Sequence, residues 1–170
     1  MGNDVSIIGG ADGPTSVFLA GELGSGSVIN VFGLIIILLI LVPNIIYAIK
    51  VKDHQNKCQN IFMNVLEQIG RYGCMFLMVF NIGVFEFGFN SVEMIMVYLF
   101  GNLILLTSYL AIWVLFLKKP EYPKQISLAV IPTIIFLLSG ITMMHVLLII
   151  FGIIFGVGHI YVTYQNRIDQ

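Results

Sequence analysis

The residues best suited to ion chemistry lie in a glycine-rich string near the N-terminus, which reads VSIIGGADGPTSVFLA from Val5 to Ala20. Glycine permits positive φ angles and lets the backbone approach a ligand closely. Pro14 directly follows Gly13 and suits the first turn of a helix. The carboxylate of Asp12 would then lie beside unwound backbone carbonyls, and hard cations prefer such oxygen ligands. The string predicts a cation site at Asp12, although the same residues also suit a capped turn at a helix start.

Residues 8–15 of this string resemble the GGADGPT signature of the β subunit of sodium-ion-translocating decarboxylases. In that family the signature lies on a broken membrane segment, and its aspartate takes part in sodium binding and transport. The resemblance therefore implies that Asp12 binds Na⁺ and that Gly10, Gly13 and Thr15 shape the loop around it. No other cofactor is expected.

The resemblance covers about residues 5–20 and leaves the remainder of the chain unmatched. The sequence contains no biotin-attachment motif and no carboxyltransferase domain, so we do not expect a complete decarboxylase subunit. It also lacks H-E-x-x-H, G-x-S-x-G and comparable catalytic strings. Glu67 and Arg71 are four residues apart and can pair on one helix face, which we interpret as a structural pair at the membrane boundary. The sequence thus favours a protein that is not an enzyme.

Composition places the chain in a membrane. Hydrophobic residues make up 58% of the 170 residues and charged residues 10%, with a mean hydropathy of +0.98. Soluble domains carry about 25% charged residues, and disordered chains are far less apolar. The net charge of −1 excludes a basic nucleic-acid-binding protein. The two cysteines do not form a C-x-x-C motif.

Apolar runs long enough for a bilayer predict an all-α membrane protein with five transmembrane helices. An amphipathic pattern over residues 61–71 predicts an interfacial helix that leads into the second span. Residues 1–27 form a separate motif segment, which could include a broken or re-entrant half-helix over residues 5–23, and residues 28–170 form the transmembrane domain. The predicted spans are about 28–49, 72–89, 92–117, 126–141 and 145–164.

The distribution of Lys and Arg predicts the orientation of these spans. With five spans, all eight basic residues fall on one side of the membrane, and the opposite side carries only acidic charges. We therefore expect a multi-pass protein of the bacterial cytoplasmic membrane, with its N-terminus outside and its C-terminus inside. The basic residues are Lys50, Lys52, Lys57, Arg71, Lys118, Lys119, Lys124 and Arg167.

Four further polar residues at or near membrane depth are secondary candidates for an ion site: Asn44, Asn81, Glu86 and Asn102. Such groups most often hydrogen-bond to other helices, although they can also line a transport path. The three histidines are scattered and do not form a metal-binding set. The Gly152-x-x-x-Gly156 pattern is a helix-packing signal, either within the chain or between copies.

Two functions remain open at this point. The first is sodium-linked ion binding or transport through Asp12, which predicts that Asp12 lies near the secondary polar candidates. The second is a non-catalytic accessory or interaction protein, which predicts an exposed N-terminal segment and a close-packed bundle without a polar cavity. Besides the lipid bilayer, the expected partner is a second copy or another membrane protein, and no nucleic acid is expected.

Overall fold

A computed structural model describes residues 29–50, 56–84 and 88–167. These residues form five α-helices, and four of them, all except the second, are long and apolar enough to cross a membrane. The coarse prediction of a helical, membrane-type fold is confirmed. In chain order the helices are α1 (Val31–Lys50), α2 (Ile61–Val79), α3 (Val92–Lys118), α4 (Tyr122–Thr142) and α5 (Val146–Gln165).

The bounds of α1, α3 and α5 lie within three residues of the predicted spans. In contrast, α4 begins at Tyr122, four residues earlier than predicted. Pro123 lies in its first turn, where the missing N–H of proline costs no hydrogen bond. The N-cap residue Glu121 pairs with Lys119 and Lys124 at 2.7 and 2.9 Å, and a carboxylate is favourable at this end of a helix. The segment with Pro120 and Pro123 thus separates α3 from α4 and also forms the first turn of α4.

The prediction for the second helix is corrected. The interfacial helix over residues 61–71 and the span over residues 72–89 are one helix that ends at Val79. It begins at Asn60, whose Oδ1 accepts a hydrogen bond from the backbone N–H of Met63 at 3.2 Å. Phe80 is extended and ends the helix. The buried polar residue of this helix, Glu67, faces α5, against which α2 mainly packs.

The helices pack as an antiparallel bundle in which α5 contacts both α2 and α4, and α4 contacts α3. The first helix packs against α2 and α3 only lightly. At one end of the bundle the chain before α1 is held to α2, because the Asn30 N–H donates to the Val79 carbonyl at 2.8 Å. The lysines at the ends of α1 and α3 lie at the other end.

Two glycines let α2 and α5 approach until their backbones touch. A Cβ at Gly70 would lie 2.5 Å from the Cα of Phe155, and a Cβ at Gly158 would lie 2.7 Å from the backbone N of Glu67. Any side chain at either position would force the helices apart. Gly152 and Gly156 instead face Leu137 and Thr133 of α4, so the predicted glycine pattern packs within the chain.

Candidate functional site

The residues of the N-terminal motif, Asp12, Gly10, Gly13 and Thr15, lie outside the described residues, as does Glu86. The structure therefore bears on three of the secondary candidates. Asn81 lies half-buried in the segment that follows α2. The other two, Asn44 and Asn102, lie on α1 and α3.

Asn102 joins α3 to α4. It is 2% exposed, and its Nδ2 donates to the Tyr98 carbonyl at 2.9 Å and to the Ser139 hydroxyl at 3.2 Å. Ser139 is itself fully buried. Both hydrogen bonds are made to protein groups in the bundle, so Asn102 acts as a polar contact between two apolar helices.

Asn44 joins α1 to α3 directly after Pro43. Its Nδ2 donates to the Ile40 carbonyl at 2.7 Å and to the Tyr109 hydroxyl at 2.8 Å. Tyr109 is 1% exposed, and its own O–H makes a long hydrogen bond of 3.4 Å to the same Ile40 carbonyl. The asparagine thereby places a buried hydroxyl at the place where α1 meets α3.

A charged cluster made of Glu67, Arg71 and His159 lies between α2 and α5. The Oε1 atom of Glu67 accepts hydrogen bonds from the Arg71 guanidinium and from His159, the latter at 2.8 Å to Nδ1. Glu67 is 5% exposed, so its carboxylate is screened from the surroundings by these two partners. The His159 ring also stacks on Phe155, with ring centroids 4.7 Å apart, and this contact fixes its orientation.

The cluster lies inside the bundle and not at its end. Glu67 is six residues from the start of α2, and His159 is six residues from the end of α5. At 1.5 Å per residue each lies about 9 Å along its helix from the lysine-rich end. Arg71 is a further turn inside, so this basic residue lies well away from the lysine-rich end of the bundle.

Beside the cluster is a cavity of about 110 Å³, here called the polar-walled cavity. Four residues from four helices give it polar groups: Asn44, Arg71, Tyr109 and His159. The remaining wall is apolar and includes Ile37, Phe136 and Phe155. Glu67 does not line the cavity and lies behind Arg71 and His159.

This arrangement supports two kinds of chemistry. A carboxylate hydrogen-bonded to an imidazole can hold or pass a proton, because the two groups share a hydrogen bond of ordinary length. An arginine, a tyrosine hydroxyl and an asparagine around a small space can recognise a polar or anionic group. Within the described ranges, no group of three or more His, Cys, Asp or Glu residues could hold a metal ion.

Sequence reasoning identified the Glu67–Arg71 pair but missed His159. A histidine in an apolar predicted span was the available signal, because titratable residues at membrane depth usually have a functional partner. The partner could not be named, since it lies 92 residues away in the chain. Comparisons with protein-family models, curated proteins and solved structures find no match to this chain. Function belongs to sites more than to folds, so the charged cluster and its cavity carry the functional inference.

Proposed function

We propose that the chain is a multi-pass protein of the bacterial cytoplasmic membrane that binds and moves an ion. In this proposal all five helices span the bilayer, with the N-terminus outside and the C-terminus inside. The four apolar helices support the span count, and α2 is taken as the fifth because its carboxylate, Glu67, is buried and paired within the bundle. The lysines at the ends of α1 and α3 lie at one end of the bundle, which supports the orientation.

The observation that carries the proposal is the charged cluster inside the bundle. Placing ionisable side chains within a membrane is costly, and those that are retained usually mark ion or proton pathways. Glu67 is almost fully buried, and its carboxylate is held by one permanent cation and one titratable imidazole. If the role of these residues were only structural, apolar residues of similar volume would stabilise the bundle at least as well.

Sodium is the proposed ion because of the resemblance of the N-terminal motif. Asp12 provides the carboxylate ligand in this proposal, and Gly10, Gly13 and Thr15 shape the loop. The described chain enters α1 at the end of the bundle opposite its lysine-rich end. In this proposal the motif and the cluster serve the two halves of one membrane path.

The test is ²²Na⁺ uptake into proteoliposomes that contain the full chain. We expect uptake above that of empty liposomes, loss of uptake in Asp12→Asn, and at least a tenfold loss in Glu67→Gln. Asp4→Asn and Glu93→Gln are the matched controls, since each removes a carboxylate outside the motif and the cluster, and both should behave as wild type. Uptake equal to that of empty liposomes, with helicity unchanged by circular dichroism, would rule out sodium transport.

The second candidate is a non-catalytic accessory or interaction protein whose N-terminal motif is a structural cap or a partner-binding segment. The close glycine contacts between α2 and α5 and the buried Asn102–Ser139 hydrogen bond favour it, because both are features of a rigid bundle. In that case no variant would affect sodium flux. The mass of the purified protein in detergent would then show whether its partner is a second copy.

A further inference from the structure

We propose that the polar-walled cavity binds a small organic carboxylate, with the carboxylate group on Arg71 and the Tyr109 hydroxyl and the carbon chain against the apolar wall. The inference does not rest on sodium transport, because no residue of the N-terminal motif enters the argument.

The charge around the cavity selects an anion. Arg71 is the permanently charged residue that lines it, and the carboxylate of Glu67 lies behind the lining residues. A cation in the cavity would face the guanidinium directly, whereas an anion would be attracted to it. Among the described residues, Glu67 is the one hydrogen-bond partner of Arg71, and it occupies a single nitrogen of a group with five N–H donors. The guanidinium can therefore receive a carboxylate through its remaining donors.

The Tyr109 hydroxyl completes the part of the site that binds the carboxylate group. The O–H of Tyr109 makes a hydrogen bond of 3.4 Å to the Ile40 carbonyl, and a ligand oxygen can replace so long a contact. The Nδ2 of Asn44 donates to the same hydroxyl oxygen at 2.8 Å, so the hydroxyl stays in place when its proton turns. His159 is held by Glu67 and by stacking on Phe155, and it forms a fixed part of the wall.

The size and the apolar wall define the rest of the ligand. A volume of about 110 Å³ is somewhat below that of an engineered apolar cavity of roughly 150 Å³ that binds benzene in another protein. An inorganic anion would leave the apolar surface of Ile37, Phe136 and Phe155 uncovered. A straight or branched chain of about four carbon atoms fills the space and buries that surface.

Butyrate is the probe for this site, and butyramide is the matched neutral control. Calorimetric titration of the full chain in detergent, in a potassium buffer without sodium, should give a dissociation constant for butyrate of about 1 mM. Butyramide and butylammonium should bind at least tenfold more weakly. Equal binding of butyrate and butyramide, absence of butyrate binding up to about 50 mM, or competition by chloride at equal concentration would overturn the proposal.

Three variants locate the binding. Tyr109→Phe should weaken butyrate binding about tenfold, whereas Tyr98→Phe, a buried tyrosine on the same helix that does not line the cavity, should leave it unchanged. Arg71→Lys should weaken it by a similar factor, because lysine lacks the planar fork. Leu41→Trp fills the cavity from α1 while leaving the residues of the cluster unchanged, and it should abolish binding. Wild-type affinity in both Tyr109→Phe and Leu41→Trp would show that the ligand binds elsewhere.

The outcome is independent of the sodium experiment. Asp12→Asn should bind butyrate as tightly as wild type even where it has lost ²²Na⁺ uptake. A chain that binds butyrate but moves no sodium would support the cavity proposal and refute the transport proposal. A chain that moves sodium but does not bind butyrate would refute the cavity proposal and support the transport proposal.

Discussion

Glu67 on α2 and His159 on α5 are joined by a hydrogen bond of 2.8 Å between Oε1 and Nδ1, although 92 residues separate them in the chain. Arg71 donates to the same oxygen from the next turn of α2. One carboxylate oxygen thus connects two helices and two basic side chains. Each contact can be removed separately by mutation, which makes its contribution measurable.

The first prediction concerns the coupling between these two residues. In a double-mutant cycle of Glu67→Gln and His159→Gln, we expect a coupling free energy of about 1.5–3 kcal/mol, because the hydrogen bond involves a charged group that is nearly excluded from solvent. The free energy of unfolding is measured by denaturant titration in detergent. Glu93→Gln with His159→Gln is the control cycle and should show no coupling. A Glu67–His159 coupling below about 0.5 kcal/mol would mean that the contact does not contribute.

The second prediction concerns the glycines between α2 and α5. Gly70→Ala should destabilise the protein by about 2–3 kcal/mol or more, because the new methyl group meets the backbone of Phe155, which cannot move away alone. Gly152→Ala is the matched control, since its methyl group meets the flexible end of Leu137 at 2.9 Å. Thermal unfolding followed by circular dichroism distinguishes the two. Equal melting temperatures would contradict the close contact of the helix backbones.

The third prediction is a pH effect at the start of α5. His145 is 1% exposed, and its Nδ1 accepts a hydrogen bond from the Leu148 N–H at 3.3 Å. Burial lowers the pKa of His145 below its ordinary value. The unfolded chain then binds the proton more readily, so the stability contributed by neutral His145 is complete above about pH 6.5 and is lost as the pH falls towards the lowered pKa.

Asparagine at this position keeps an N-cap acceptor but cannot be protonated in this range. We therefore expect His145→Asn to lose part of the decrease in melting temperature that wild type shows between pH 7.5 and 5. The measurement is a series of thermal melts of both proteins across this pH range. An identical pH dependence in the two proteins would contradict the role assigned to His145.

The fourth prediction separates packing from transport at Asn102. Asn102→Ala and Ser139→Ala should show a coupling of about 0.6 kcal/mol, and at most about 1.7 kcal/mol, which is the range of hydrogen bonds between membrane helices. Neither substitution touches the charged cluster or the cavity, so ²²Na⁺ uptake and butyrate affinity should stay unchanged. A selective loss of either at normal stability would instead place Asn102 on the functional path.

Hydropathy patterns predicted four helices well, because a long apolar run has few alternative structures. The second helix was harder to predict from the sequence. The pattern from Ile61 to Arg71 is the same for a helix on a membrane surface and for a helix whose polar face is covered by another helix. Only the contact with α5 distinguishes the two, and that contact depends on residues far away in the sequence.

Prediction of the candidate site from the sequence is limited in the same way, because it depends on contacts between distant residues. Glu67 and Arg71 could be paired from their spacing, since both lie on one helix. The third member, His159, lies on α5, and the cavity is lined by residues of all five helices. A local sequence pattern cannot predict contacts between residues so far apart in the chain. The accessory function predicts a close-packed bundle without a polar cavity, and this bundle is close-packed between α2 and α5 but contains a polar-walled cavity.

The pairing of α2 with α5 has a consequence for biogenesis. The 92 residues between Glu67 and His159 take roughly 5–20 s to synthesise at usual rates. In the five-span proposal, α1, α3 and α4 can enter a bilayer on their own apolar surface before or during that interval, whereas Glu67 on α2 still lacks its partner on α5. The second helix made would then be the last to gain its packing partner.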